Sequence, residues 1–198
     1  MKQKLAAGHL MALFVATVWG TAFIAVKVLL AEFHPIEVML FRFAIAWAAL
    51  FLFSPKPLVP KGLREELPFL AAGITGLTLY FILQNYALKF SYASTVGIII
   101  SAAPMFTALL LWLCRRAPRP GKAFFVGFVL SMAGITLISV AQGEALDVDF
   151  IGCGLTLGAA FCWGAYGVCI ELTEASGYTS LQVTRKVFFW GLLFSLPF

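Results

Sequence analysis

Polar and apolar positions along this chain do not alternate with a period of two or 3.6 over short windows. They separate into long, nearly unbroken apolar runs joined by short polar turns, the pattern of helices solvated by lipid rather than of amphipathic elements facing water. A hydrocarbon core of ordinary thickness needs about 20 apolar residues per helix. On that measure the runs predict six complete spans, Leu10–Ala31, Pro35–Phe53, Leu67–Leu88, Ala93–Leu113, Ala123–Ala141 and Phe150–Leu172, and a shorter seventh from Val183 to Phe198. Pro35 opens the second span at a position where a missing N–H does no harm. Pro104 falls inside the fourth, where it frees the carbonyl of Ile100.

The turns between the runs carry a charge bias. Lys2 and Lys4 precede span one, Lys56, Lys61 and Arg64 lie between spans two and three, and Arg115, Arg116, Arg119 and Lys122 lie between four and five. The alternate turns hold Glu32 and Glu37, then Lys89, then Glu144, Asp147 and Asp149. Nine cations stand against one, which by the positive-inside rule predicts a multi-pass membrane protein with a cytoplasmic N-terminus. The turn after span six, with Glu171 and Glu174, follows that rule least well.

Composition agrees with this reading. Of 198 residues, 62% are hydrophobic and 12% charged, and mean hydropathy is +0.96, far from the roughly 25% charged of soluble domains. The net charge of +5 resides in the turns, so it reads as a topology signal and not as a nucleic-acid surface. The partner that composition implies is the lipid bilayer. Cys114, Cys153, Cys162 and Cys169 lack metal-ligand spacing and read as apolar filler. The first apolar run is too long for a signal-peptide core. Motifs for zinc hydrolysis, serine hydrolysis or nucleotide binding are missing, so the sequence predicts neither an enzyme, nor a cofactor, nor a metal.

The chain also repeats itself. Gly8, Trp19 and Gly20 recur 144 positions later as Gly152, Trp163 and Gly164, and Arg42 and Trp47 recur 143 positions later as Arg185 and Trp190. A unit of that length holds five spans, and an odd number of spans inverts each following copy, as in many secondary transporters. The expected fold is therefore all-α: a polytopic transmembrane helix bundle built on a five-helix inverted-topology repeat, complete over residues 1–143, with a second copy begun over 144–198 and truncated there. Two full copies predict about ten spans and roughly 290–300 residues. A truncated, non-transporting fragment, or a subunit pairing with another membrane chain, is the alternative.

Charge within the spans supplies the candidate chemistry. A cation near mid-bilayer costs roughly 2.5–3.5 kcal/mol on insertion scales. Arg42 and Lys27 both fall in the outer half of their spans, with Glu32 and Glu37 as the nearest acids. They read either as anchors or gates for an anionic substrate group, or as groups satisfied by helix-end carbonyls and by snorkelling. In the repeat Lys27 corresponds to Glu171 and Arg42 to Arg185, which places one charged cluster on each side of a central cavity. Tyr80, Gln84 and Asn85 on span three either line that cavity or bond a neighbouring helix. Trp19 and Trp163, with Tyr166, lie too deep for an interfacial belt and read as cavity wall or packing. Ser94, Gly97, Ser101, Pro104 and Ala108 form a small-residue stripe that reads either as close helix packing or as a substrate contact.

Three stretches resemble the EamA-type carriers of the drug/metabolite transporter superfamily: WGTAFIAVK followed by PIEVMLFRF, then Ala87–Leu113 with its turn and Pro104, then the glycine-spaced Gly127–Ser139. The resemblance covers the whole chain, but Cys114-Arg115-Arg116 stands where the family often has Gly-Glu. It implies a secondary-active inner-membrane transporter, in many members an exporter, of small metabolites, amino acids or drugs, working by alternating access around a cavity between the repeats. A membrane-embedded lipid enzyme would need a reactive cluster at a membrane edge, which the sequence lacks.

Overall fold

The computed structural model describes residues 2–55, 58–60, 62–141, 149–174 and 177–198. The described chain is helical: α1 (Lys2–Leu29), α2 (Pro35–Phe53), α3 (Leu63–Ala72), a π segment (Gly73–Leu79), α4 (Tyr80–Phe90), α5 (Ala93–Ile100), α6 (Ala103–Leu113), α7 (Lys122–Ala141), α8 (Phe150–Glu174) and α9 (Ser180–Ser195). Five stretches among the described residues are long and apolar enough to cross a membrane: Gly8–Leu29, Pro35–Phe53, Leu63–Phe90, Ala93–Leu113 and Phe150–Thr173. The apolar stretch of α7, Lys122–Leu137, is shorter. Lys56, Lys61, Glu144 and Asp147, and the proposed boundary between residues 143 and 144, lie outside the described residues.

Local chemistry sets the helix ends. The His34 N–H donates to Glu37 Oε2 at 2.8 Å and the Ile36 N–H donates to His34 Nδ1 at 3.4 Å, so α2 starts at Pro35 as the sequence predicts. Thr179 and Gln182 cap α9 in the same reciprocal way, with Thr179 N–H donating to Gln182 Oε1 at 3.1 Å. The predicted seventh span thus begins three residues earlier than its apolar run, at Ser180. The third span extends to Leu63–Phe90 because Glu65 and Glu66 in its first turn suit the positive helix end and find partners there. Glu66 pairs with Lys186 at 2.8 Å and accepts the Trp190 indole N–H at 2.5 Å.

The relative direction of the helices follows from their contacts. Lys27 of α1 meets the end of α4 at Leu88 and Ser91, while Trp19 meets Trp163, which lies against Tyr80 at the start of α4. α1 and α4 therefore run in the same sense. On the α4 side Leu83 approaches Gly158 and Ser91 approaches Gly152, so α8 runs against α4, and hence against α1. Phe43 packs on Phe188, and Arg185 donates to the Ser54 carbonyl past the end of α2, so α2 and α9 are opposed as well. The helices that carry the repeated Trp-Gly and Arg positions cross in opposite senses, which is compatible with an inverted repeat.

α8 occupies the centre, packed by α3, the π segment, α4, α5 and α6, while α9 packs on the π segment, α2 and α3. The π segment forms where small residues admit these neighbours. A Cβ on Gly73 would stand 2.6 Å from Trp190 Cβ, and one on Gly191 would stand 2.6 Å from Leu77 Cβ. Thr78 Oγ1 donates to the Gly191 carbonyl at 3.0 Å across this contact, and Ser195 Oγ donates to Thr78 Oγ1 at 3.3 Å. Gly164 likewise lets α8 approach α6, because a Cβ there would lie 2.8 Å from Phe106 Cβ. Its counterpart Gly20 has nothing within 4 Å, so the close backbone approach belongs to the second Trp-Gly alone.

Overpacking at such contacts costs about 1–3 kcal/mol. Gly191→Ala is expected to lower thermal stability in detergent by that order, whereas Gly127→Ala, in open space, is expected to be neutral or slightly stabilising. Scanning fluorimetry of the two purified variants reads the difference.

Candidate substrate cavity

Pro104 breaks span four. α5 ends at Ile100, Ser101 and Ala102 form a turn, and α6 resumes at Ala103. The Ser101 hydroxyl folds back on the Gly97 carbonyl at 2.7 Å. Discontinuous helices of this kind occur at membrane depth where the backbone lines a cavity, and here a cavity of about 620 Å³ lies alongside the break. Ser94, Gly97, Ile100, Ser101, Ala103 and Pro104 form one wall. Of the two readings of the small-residue stripe, its Ser94–Pro104 part thus takes the open one, and Gly97 has nothing within 4 Å.

The opposite walls come from α1, α2, α4 and α8. Trp19, Arg42, Tyr80, Gln84 and Trp163 all line the cavity. Trp19 and Trp163, equivalent positions of the repeat, meet edge to face with centroids 5.7 Å apart, and Tyr80 lies 4.9 Å from Trp163. Arg42 rests its guanidinium on the Phe81 ring, 5.0 Å from the centroid. Its Nη1 is buried without a hydrogen-bond partner, as is Oε1 of Gln84, a residue only 5% exposed. Neither Glu37, which accepts from His34 N–H, nor a helix-end carbonyl satisfies that Nη1. The lining therefore carries one cationic group, the Gln84 amide and a set of aromatic faces.

The other sequence candidates lie elsewhere. Lys27 donates to the carbonyls of Leu88 and, at 2.7 Å, of Ser91, closing the C-terminal end of α4, where a cation suits the helix dipole. Asn85 is fully buried and donates to the Pro35 carbonyl at 2.9 Å, tying α4 to the start of α2. Tyr166 touches Trp163 at 5.1 Å but presses its ring onto Gly76 of the π segment. Glu171 is exposed on α8. Arg185 is 7% exposed, donates to the Ser54 carbonyl and lies 5.6 Å from the Phe51 ring centroid. A smaller hollow of about 210 Å³ there is lined by Trp47, Phe51, Leu58, Arg185, Lys186 and Phe189. Phe23, Phe81 and the broken span-four wall join the cavity without having been singled out as site residues. The small-residue stripe and its proline are the sequence signals for that wall.

The family model described as the EamA-like transporter family matches residues 6–140. An uncharacterized transporter of Archaeoglobus fulgidus is 29% identical over 96% of this chain and 66% of its own length. A probable terminal-alkyne amino-acid exporter of Streptantibioticus cattleyicolor is 29% identical, with 90% of this chain and 59% of its own covered. For a probable amino-acid metabolite efflux pump of Escherichia coli the identity is 28%, over 95% of this chain and 61% of that protein. The chain thus spans 59–66% of the length of these relatives. No solved structure matches it. With the family match running over residues 6–140 of 198 and the helices, the broken span and the lipid-level cavity in place, the chain belongs to the EamA-like transporter family.

Proposed function

We propose that this chain acts in the inner membrane as a secondary-active transporter that exports small metabolites by alternating access, with the cavity beside the broken span four as its substrate site. The observation that carries the reading is that Arg42 and Gln84, each with a buried polar atom that lacks a hydrogen-bond partner, both line a space of about 620 Å³. That volume lies in the roughly 300–1,000 Å³ range of small-molecule sites. Unsatisfied polar atoms at that depth cost free energy unless water or a ligand meets them. The names of the relatives, a probable amino-acid metabolite efflux pump and a probable terminal-alkyne amino-acid exporter, agree with a small organic cargo and with outward movement.

Alternating access needs two ends that open in turn. Arg42 sits toward the outer end of α2, and Arg185 reaches Ser54 beyond its inner end. Twelve residues of helix separate those levels, about 18 Å at 1.5 Å per residue. Opposed α1–α8 and α2–α9 pairs, with Trp19 and Trp163 touching between them, support an inverted repeat that rocks about this contact. Arg42 anchors the cargo's acidic group, and Arg185 holds the inner end closed.

Reconstituted in proteoliposomes and screened with labelled metabolites, the chain is expected to lose roughly tenfold or more of its transport on Arg42→Ala, the effect of one charge-assisted hydrogen bond, and to keep more of it with Arg42→Lys. Undiminished transport by Arg42→Ala would remove the cavity from the mechanism. Orientation is tested separately. In right-side-out vesicles an impermeant maleimide is expected to label a single cysteine placed at Lys89 directly, and the exposed native Cys114 only after permeabilisation.

A further inference from the structure

The charge count of the cavity narrows its cargo beyond size. Among the described residues lining it, Arg42 is the one charged group, and no Asp or Glu is present. The nearest other charges are engaged or remote. Lys27 is bound by the Leu88 and Ser91 carbonyls, Glu37 accepts from His34 N–H, and Glu171 is exposed on α8. Arginine stays protonated in proteins, so a full positive charge faces this space among aromatic and aliphatic walls, with no carboxylate to balance it. A ligand with one net negative charge neutralises the site. A zwitterion brings a carboxylate but also an ammonium, which meets no carboxylate here and finds only aromatic faces, a contact that attracts the cation without neutralising it. The site would then keep its net charge of one in a low-dielectric setting, where uncompensated charge is costly.

Resting on the reading of this cavity as the transport site, we propose that it selects organic monoanions, a carboxylate on an aromatic or branched apolar body, over zwitterionic amino acids with the same skeleton. The carboxylate meets Arg42. The body lies against Trp19, Tyr80 and Trp163, whose rings form a continuous face through their contacts at 5.7 and 4.9 Å.

The test is calorimetric titration of the full chain in lipid nanodiscs with three skeletons, phenyl, indolyl and branched alkyl, each as the simple carboxylic acid, the α-amino acid and the amine. For at least one skeleton the acid is expected to bind roughly ten- to hundredfold more tightly than its amino acid, the range of one charged hydrogen bond, with no heat from the amine. Arg42→Gln is expected to erase that preference, and Arg42→Lys, which keeps the charge, to retain it. An amino acid that binds as well as its acid, or a preference that survives Arg42→Gln, would overturn the selectivity while leaving the cavity a binding site. No binding by any of the nine compounds would overturn the substrate-site reading, and the selectivity with it.

Discussion

An arginine carried into the hydrocarbon layer has to be accommodated by its own bundle, because lipid offers neither counter-charge nor hydrogen bonds and insertion costs roughly 2.5–3.5 kcal/mol. Here Arg42 is half-buried, rests on Phe81 and faces a cavity. A cation–π contact recovers about 0.5–2 kcal/mol, leaving part of that cost in place. Much of the surrounding architecture can be understood as making room for this group. The His34–Glu37 cap and the Asn85 bond to the Pro35 carbonyl fix the start of α2 and hence the rotation of Arg42. The break at Ser101 lies on the wall of the space that this side chain lines.

The same bundle solves a second problem, that of packing helices without a hydrophobic driving force between them. α8 and α9 enter among the earlier helices through small residues. Gly164 meets Phe106, and Gly73 and Gly191 meet the opposing helix backbones and side chains. Where α9 presses closest the backbone widens into a π segment, a form common at functional sites. Tyr80 follows directly after that segment and lines the cavity. Thr78, which bonds α9 through the Gly191 carbonyl, thus lies two residues before a cavity wall. Charged groups at the far end, Glu66 with Lys186 and Arg185 with the Ser54 carbonyl, hold α9 there.

What could be read from the sequence was what lipid enforces. Bilayer thickness dictates run length, so α2 emerges at its predicted bounds and α8 within two residues of them. The cost of intramembrane charge singled out Arg42, and the depth of Trp19 and Trp163 singled out two further cavity walls. Contacts between distant segments were not legible. The π segment depends on α9, more than a hundred residues away, and its own sequence reads as ordinary apolar helix. Lys27 could be flagged as a costly charge, but its role at the end of α4 required knowing that α1 and α4 run side by side. The stripe from Ser94 to Pro104 shows how one pattern has two physical uses: small residues admit a neighbouring helix or leave a void, and only the arrangement of the other helices decides which.

A transport role for this cavity requires that Arg42 face water-accessible space and not the acyl chains. Its sequence neighbour Phe41 is 64% exposed on the outside of the bundle and serves as the lipid-facing reference. The decisive measurement is the rate at which a charged, membrane-impermeant methanethiosulfonate modifies Arg42→Cys and Phe41→Cys, each in a background without other cysteines and in intact bilayers. Rapid modification at 42 with none at 41 is the result predicted here. An unreactive position 42, or equal reactivity at both, would contradict it.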